Sequence, residues 1–172
     1  DMARLLIELG ADIEAKDYYG STPLHEAASE NSLEVARLLI ELGADIETRE
    51  NGGRTPLGIA VSTNSLEVAH LLLDQGADIH GQDEAGRTNL HNAIKNSSFD
   101  MALLLIELGA DIEAKDDNSV TPLHEAALKN SLEVARLLID GGANIDEKDR
   151  NHSTPLGIAA SGNSLEVARL LI

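Results

Sequence analysis

Histidine is the side chain in this sequence best suited to chemistry, because an imidazole can bind a metal or relay a proton near neutral pH. His25, His91 and His124 recur at steps of 66 and 33 residues, each in the frame Thr-x-Leu-His. Residues that share one slot of stacked helical units lie about 10 Å apart, whereas the ligands of one metal sit about 2 Å from it. The spacing therefore argues against a shared metal site, and neither metal nor cofactor is expected. His70, His80 and His152 are isolated and read as solvent-facing. No Ser-His-Asp set can be assembled, since the serines precede helices as caps and the acids fall on surfaces. Glycines occur singly at turns or helix ends, without a phosphate-cradling loop. No catalytic residue is nominated, and an enzyme is not expected. Asn96-Ser-Ser and Asn151-His-Ser match the glycosylation acceptor pattern and are read as chance matches.

The elements that hold these residues are constrained by composition. The 172-residue chain is 42% apolar but contains one Phe, two Tyr and no Trp, so its core must be built from Leu, Ile, Val and Ala, as in short repeated helices. There is no cysteine, which excludes a disulfide framework and suits a reducing, cytoplasmic (intracellular) setting. Apolar runs such as Met101 to Ile106 fall far short of the roughly 20 residues that span a bilayer. A net charge of −17 opposes phosphate backbones and anionic lipid surfaces, so neither nucleic acid nor membrane is an expected partner.

A single period organises the chain. Thr22-Pro-Leu-His, Thr55-Pro-Leu-Gly, Thr88-Asn-Leu-His, Thr121-Pro-Leu-His and Thr154-Pro-Leu-Gly follow one another at 33 residues. Ser-Leu-Glu-Val-Ala keeps the same step from Ser32, Ser65, Ser131 and Ser164, with the variant Ser98-Phe-Asp-Met-Ala between them. Two helices per unit follow. Thr caps the first and Pro opens it, where a missing N–H costs nothing, and Leu24, Ala27 and Ala28 form its apolar face. Ser caps the second, whose apolar stripe runs through Leu33, Val35, Ala36, Leu38, Leu39 and Leu42 until Gly43 stops it. So wide a stripe must be covered on two sides, which one unit cannot do alone.

The pattern Asp-x-x-Gly-x-Thr-Pro-Leu-His-x-Ala-Ala, then a Ser-Leu-Glu-Val-Ala helix and Gly-Ala-Asp-Ile, resembles the ankyrin repeat in every unit. The resemblance implies an all-α, ankyrin-repeat solenoid of stacked helix-turn-helix units with β-hairpin-like loops. It frames one array: a partial unit at 1–16 with a second helix only, full units at 17–49, 50–82, 83–115 and 116–148, and a truncated unit at 149–172. On this frame the sequence reads as a window on a longer array whose apolar end faces favour end-to-end self-association. Residues 1–73 and 100–172 share roughly 50 identities, so three units form a longer repeat of 99 residues. The resemblance also implies that His25, His91 and His124 tie loop and helix backbones together.

Departures from the pattern locate expected weak points. Ser119 and His152 replace the tip glycine, so those turns either change type or hold a non-glycine at unfavourable φ. Asn31, Asn64, Asn130 and Asn163 stand where glycine is frequent, and Asn is the next best residue there. The third full unit has Asn89 in place of Pro and Ser97 in place of Asn, and is expected to open most easily.

The function implied is protein binding, as a scaffold contacting another protein through loop tips and the inner face of the first helices. Carried onto this chain, that surface comprises Lys16, Tyr18, Tyr19, Ser21 and Glu30, then Arg49, Asn51, Arg54 and Thr63. The third full unit contributes Glu84, Arg87 and Lys95, the fourth Asp117, Val120, Leu128 and Lys129, and the last Arg150. Tyr18 and Tyr19, the only tyrosines, are the foremost candidate anchors. Nine of 13 basic residues, the seven named here with Lys115 and Lys148, fall on the inner face and tips, while many acids sit on second helices, so an acidic partner is as compatible as a basic one. The competing function is a mechanical or spacing segment with no specific site.

Overall fold

The structure is a computed structural model that describes residues 10–172. The second helix expected within 1–16 falls largely on residues 1–9, outside the described residues. Among the described residues the regular elements are ten helices, with no strand, and none is long and apolar enough to cross a membrane. They form helix-turn-helix pairs of the solenoid type. The pairs are α1 (Pro23–Ser29) with α2 (Leu33–Glu41), α3 (Pro56–Thr63) with α4 (Leu66–Asp74), α5 (Asn89–Lys95) with α6 (Phe99–Glu107), α7 (Pro122–Leu128) with α8 (Leu132–Asp140), and α9 (Pro155–Ser161) with α10 (Leu165–Leu170). The chain divides into two compact units, one ending at Glu84 and the other starting at Ala85.

Helix boundaries follow from the sequence with one correction. Thr22 precedes α1 in extended conformation at ψ 168, and Pro23 takes the first helical position. The helix closes with paired bonds, Asn31 N–H to Ala28 O and Ser32 N–H to Ala27 O, with Asn31 left-handed at φ 51. Ser32 thus ends one helix as it begins the next. That double duty holds it at ψ 73, and its hydroxyl makes no cap bond to α2. The same is true of Ser65, Ser98, Ser131 and Ser164, so the serines are not the side-chain caps the sequence suggests. The cap comes from the preceding repeat: the Oδ1 of Asn31 accepts the N–H of Val68, the third residue of α4, at 3.3 Å, and Asn130 serves Val167 of α10 likewise.

In the first unit, α1 packs against α2 and α3, and α4 packs against α2 and α3. Leu24, Leu57 and Leu72 are fully enclosed. In the second unit α7 lies between α5 and α9, and α8 between α6 and α10, around Leu90, Ile94, Met101, Leu105, Leu123 and Leu138. Each such side chain contributes about 1.5–3 kcal/mol by leaving water. Burial within the second-helix stripe is narrower than the sequence suggests. Val35 and Leu42 remain 38% and 43% exposed, while Val68, in the slot of Val35 one repeat on, is fully covered.

Candidate functional site

The loop tips are built by acids that turn back on their own backbone. Asp17 Oδ1 accepts the N–H groups of Tyr19 and Ser21, both at 2.8 Å, and Asp116 and Asp149 do the same in their loops. Glu50, longer by one carbon, uses both of its oxygens. Its Oε2 takes Gly52 N–H at 2.8 Å, while Oε1 takes Arg54 N–H at 3.2 Å and Nε at 3.0 Å. Burial pushes the Glu50 carboxyl up, but these donors outweigh it and hold the group below its ordinary range. Glu50 and Asp149 are buried, which corrects the expectation that acids lie on surfaces: a tip needs an internal acceptor. Gly20 and Gly53 adopt φ 79, and Ser119 and His152 adopt φ 59 and 60, so those two loops keep a positive φ without glycine.

Consecutive tips are stitched together. Asn51 N–H donates to Tyr19 O at 2.9 Å and Glu84 N–H to Gly52 O at 3.1 Å in the first unit. In the second, Asp117 N–H donates to Ala85 O at 3.1 Å and Arg150 N–H to Asn118 O at 2.9 Å. Lys16 Nζ reaches Arg49 O at 3.3 Å, and Arg49 Nη1 reaches Gln82 O at 2.6 Å. Lys115 pairs with Glu147 at 2.9 Å, which holds that carboxyl below its ordinary range. A second row joins the following loops, where Glu14, Glu47 and Glu113 accept the N–H groups of Asp45, Asp78 and Asn144. Sequence reasoning missed this row, although a Glu recurring at one slot was its signal.

The histidines complete the frame. Thr22 N–H donates to His25 Nδ1 at 3.1 Å, so that nitrogen is an acceptor and the proton sits on Nε2, which donates to Arg54 O at 3.2 Å in the next repeat. His91 and His124 repeat both bonds, to Val120 O at 2.9 Å and Ser153 O at 3.0 Å. Burial lowers the pKa of His25 against the opposing pull of the Arg54 carbonyl. Among the described residues, no group of three or more His, Cys, Asp or Glu side chains could hold a metal ion.

The sequence-nominated surface divides by exposure and partner. Tyr18 and Tyr19 project at 90% and 66% exposure and meet edge to face, with ring centroids 5.4 Å apart. Glu30, Asn51, Glu84, Lys95, Asp117, Leu128, Lys129 and Arg150 are exposed; Ser21, Arg54, Arg87 and Val120 are half-buried. Thr63 is exposed, but its hydroxyl bonds Ile59 O at 3.1 Å and Ser65 Oγ at 2.8 Å. Lys16, Arg49 and Arg54 are held by the internal bonds above. In the first unit a groove of about 630 Å³ runs over Pro23, Ala27 and Val35, bordered by Lys16, Ser21 and Glu30. In the second, Glu125 has one buried oxygen without a hydrogen bond, and burial pushes its carboxyl above the ordinary range against Lys95 and Lys129.

The repeated geometry has a counterpart among known families. A family model described as ankyrin repeats (3 copies) matches residues 47–116 and 112–172, and a second, ankyrin repeats (many copies), matches residues 6–60. A search of curated proteins returned no match. Helix pairs at a fixed 33-residue step, tips joined by backbone bonds, a histidine bridging each Thr-x-Leu-His frame to the next repeat, and family matches over most of the length agree: the chain belongs to the ankyrin repeat family.

Proposed function

We propose that this chain holds a partner protein through its row of loop tips and the open face of its first helices. Ankyrin repeats are generally protein–protein interaction modules. The finer reading is supported above all by the backbone bonds between successive tips, 2.9 to 3.1 Å long. They fix the main chain while the side chains on it differ from repeat to repeat. A surface fixed beforehand loses little entropy when it binds, so more of the contact energy appears as affinity. Tyr18 and Tyr19 add exposed aromatic area, and a few aromatic anchors commonly dominate an interface.

Charge gives each unit its own character. On tips and first helices, residues 85–172 carry six cations against four acids, whereas residues 10–84 carry Lys16, Arg49 and Arg54 against six acids. Opposite local charge is what fixes register and suppresses wrong partners. A cytoplasmic setting belongs to the same proposal and fits a core without cysteine.

The test is capture of a partner by the folded chain, followed by titration of the Tyr18→Ala/Tyr19→Ala variant. The expected loss is about 2 kcal/mol or more of binding free energy with an unchanged melting curve. A folded chain that captures no saturable partner supports a spacer role instead.

A further inference from the structure

In residues 85–172 a cavity of about 260 Å³ separates Ser97, Ser98 and Phe99 from Lys129, Glu133 and Val134. At two other repeat boundaries an asparagine side chain reaches into the equivalent place. Asn31 occupies the slot of Ser97, and while its Oδ1 accepts Val68 N–H at 3.3 Å, its Nδ2 donates to the Glu67 carboxylate. Asn130 makes the first of these bonds again, to Val167 N–H at 3.3 Å. Val134 and Glu133 stand in the slots of Val68 and Glu67, 66 residues on. Ser97 keeps the left-handed turn at φ 59, but among the described residues its shorter side chain makes no such bond.

Two observations give the cavity a chemical character. Val134 is the third residue of α8, a helix of nine residues, so its N–H belongs to the positive helix end that needs an outside acceptor. Ser98, only 9% exposed, lines the same space, and among the described residues its hydroxyl has no hydrogen-bond partner, whereas Ser65 in its slot bonds Thr63 Oγ1 at 2.8 Å. At about 30 Å³ for one water, the volume admits a side chain with solvent around it.

We propose that this cavity receives a primary carboxamide side chain, Asn or Gln, from a bound protein, with its oxygen on Val134 N–H and its NH₂ on the Glu133 carboxylate. The chain's own Asn31 is the template for that pose. A carboxylate of the same shape is a poorer ligand, because it cannot donate to Glu133 and is repelled by it; Lys129 offsets that repulsion only in part. The inference rests on the protein-binding reading above.

The test is a nitrogen-15 NMR titration of the full chain with the capped tripeptide acetyl-Gly-Asn-Gly-N-methylamide, whose caps carry no primary carboxamide, and with its Asp and Ala counterparts. Saturable shifts of the Val134 and Glu133 amides are expected with the Asn peptide, with about fivefold weaker binding of the other two. Ser97→Asn, which fills the cavity with its own carboxamide, is expected to abolish the shifts, while Ser97→Gly, which leaves it open, retains them; circular dichroism checks that both variants fold. The proposal is overturned if Val134 shows no saturable shift, if the Ala or Asp peptide binds equally well, or if Ser97→Asn binds undiminished. None of these results alters the tyrosine test of the tips, so the two readings fail separately.

Discussion

The carboxamide oxygen of Asn31 accepts the backbone N–H of Val68 at 3.3 Å, joining residues 37 apart across a repeat boundary. One residue therefore does three things: it takes the left-handed turn that ends α1, caps α4, and positions the Glu67 carboxylate through its amide. A glycine could do only the first. The interface between repeats is thus specified by a polar bond as well as by apolar packing, and its consequences can be measured.

Asn31→Gly keeps the backbone conformation and removes the cap. The expected cost is about 1 kcal/mol, read as a lower urea midpoint. The Asn31 amide holds the Glu67 carboxyl below its ordinary range, so in this variant that pKa moves upward, which carboxyl-carbon NMR follows. An unchanged Glu67 titration would show that the contact is not made in solution.

The start of α8 lacks the cap that α4 and α10 receive, because Ser97 replaces Asn. Amide exchange at Glu133 and Val134 is expected to outpace that at Glu67 and Val68. Equal protection of the two helix starts would count against the missing cap as a weak point.

Stability should fall on mild acidification, in part through His25. Its folded-state pKa lies below the ordinary 6.5 because burial disfavours the imidazolium, and Nδ1 must stay bare to accept Thr22 N–H. The unfolded chain therefore binds the proton more readily. The stabilisation is complete above the unfolded pKa and is lost as pH drops through the folded one. His25→Ala should cost about 1–3 kcal/mol at pH 7.5, and its deficit relative to the parent should shrink as pH falls below 6.5. Denaturant titrations at several pH values decide this; a deficit constant with pH contradicts it.

Gly53→Ala should destabilise the chain by more than Gly43→Ala. Both positions have positive φ, at 79 and 94, but a Cβ at Gly53 meets the Glu84 backbone N at 3.1 Å, while one at Gly43 meets nothing within 4 Å. The second change carries only backbone strain of about 1–2 kcal/mol, and the first adds a clash that pushes neighbouring tips apart. Paired melting curves give the ranking.

Much of the fold was legible in the sequence for a physical reason. Helix positions, the Pro starts at Pro23 and Pro122 and the Gly43 stop are local effects, and a period repeated five times averages out the ambiguity of any one segment. The exposure of Tyr18 and Tyr19 was legible too, since a loop tip has little around it. The internal bonds of Lys16, Arg49 and Arg54 were not. A long basic side chain has the same one-letter code whether it faces a partner or the carbonyl of the next loop.

By itself, then, the sequence determined the all-helical repeat and its step, because these depend on spacing and side-chain type. Tertiary structure decided which polar groups satisfy one another between repeats. Asn31 rather than Ser65 caps α4, Glu50 is buried with Arg54, and Ser97 leaves a cavity before Val134. Hydrogen bonds are directional and reach about 3 Å, so pairings between residues 29 to 37 apart follow from how two repeats settle against each other.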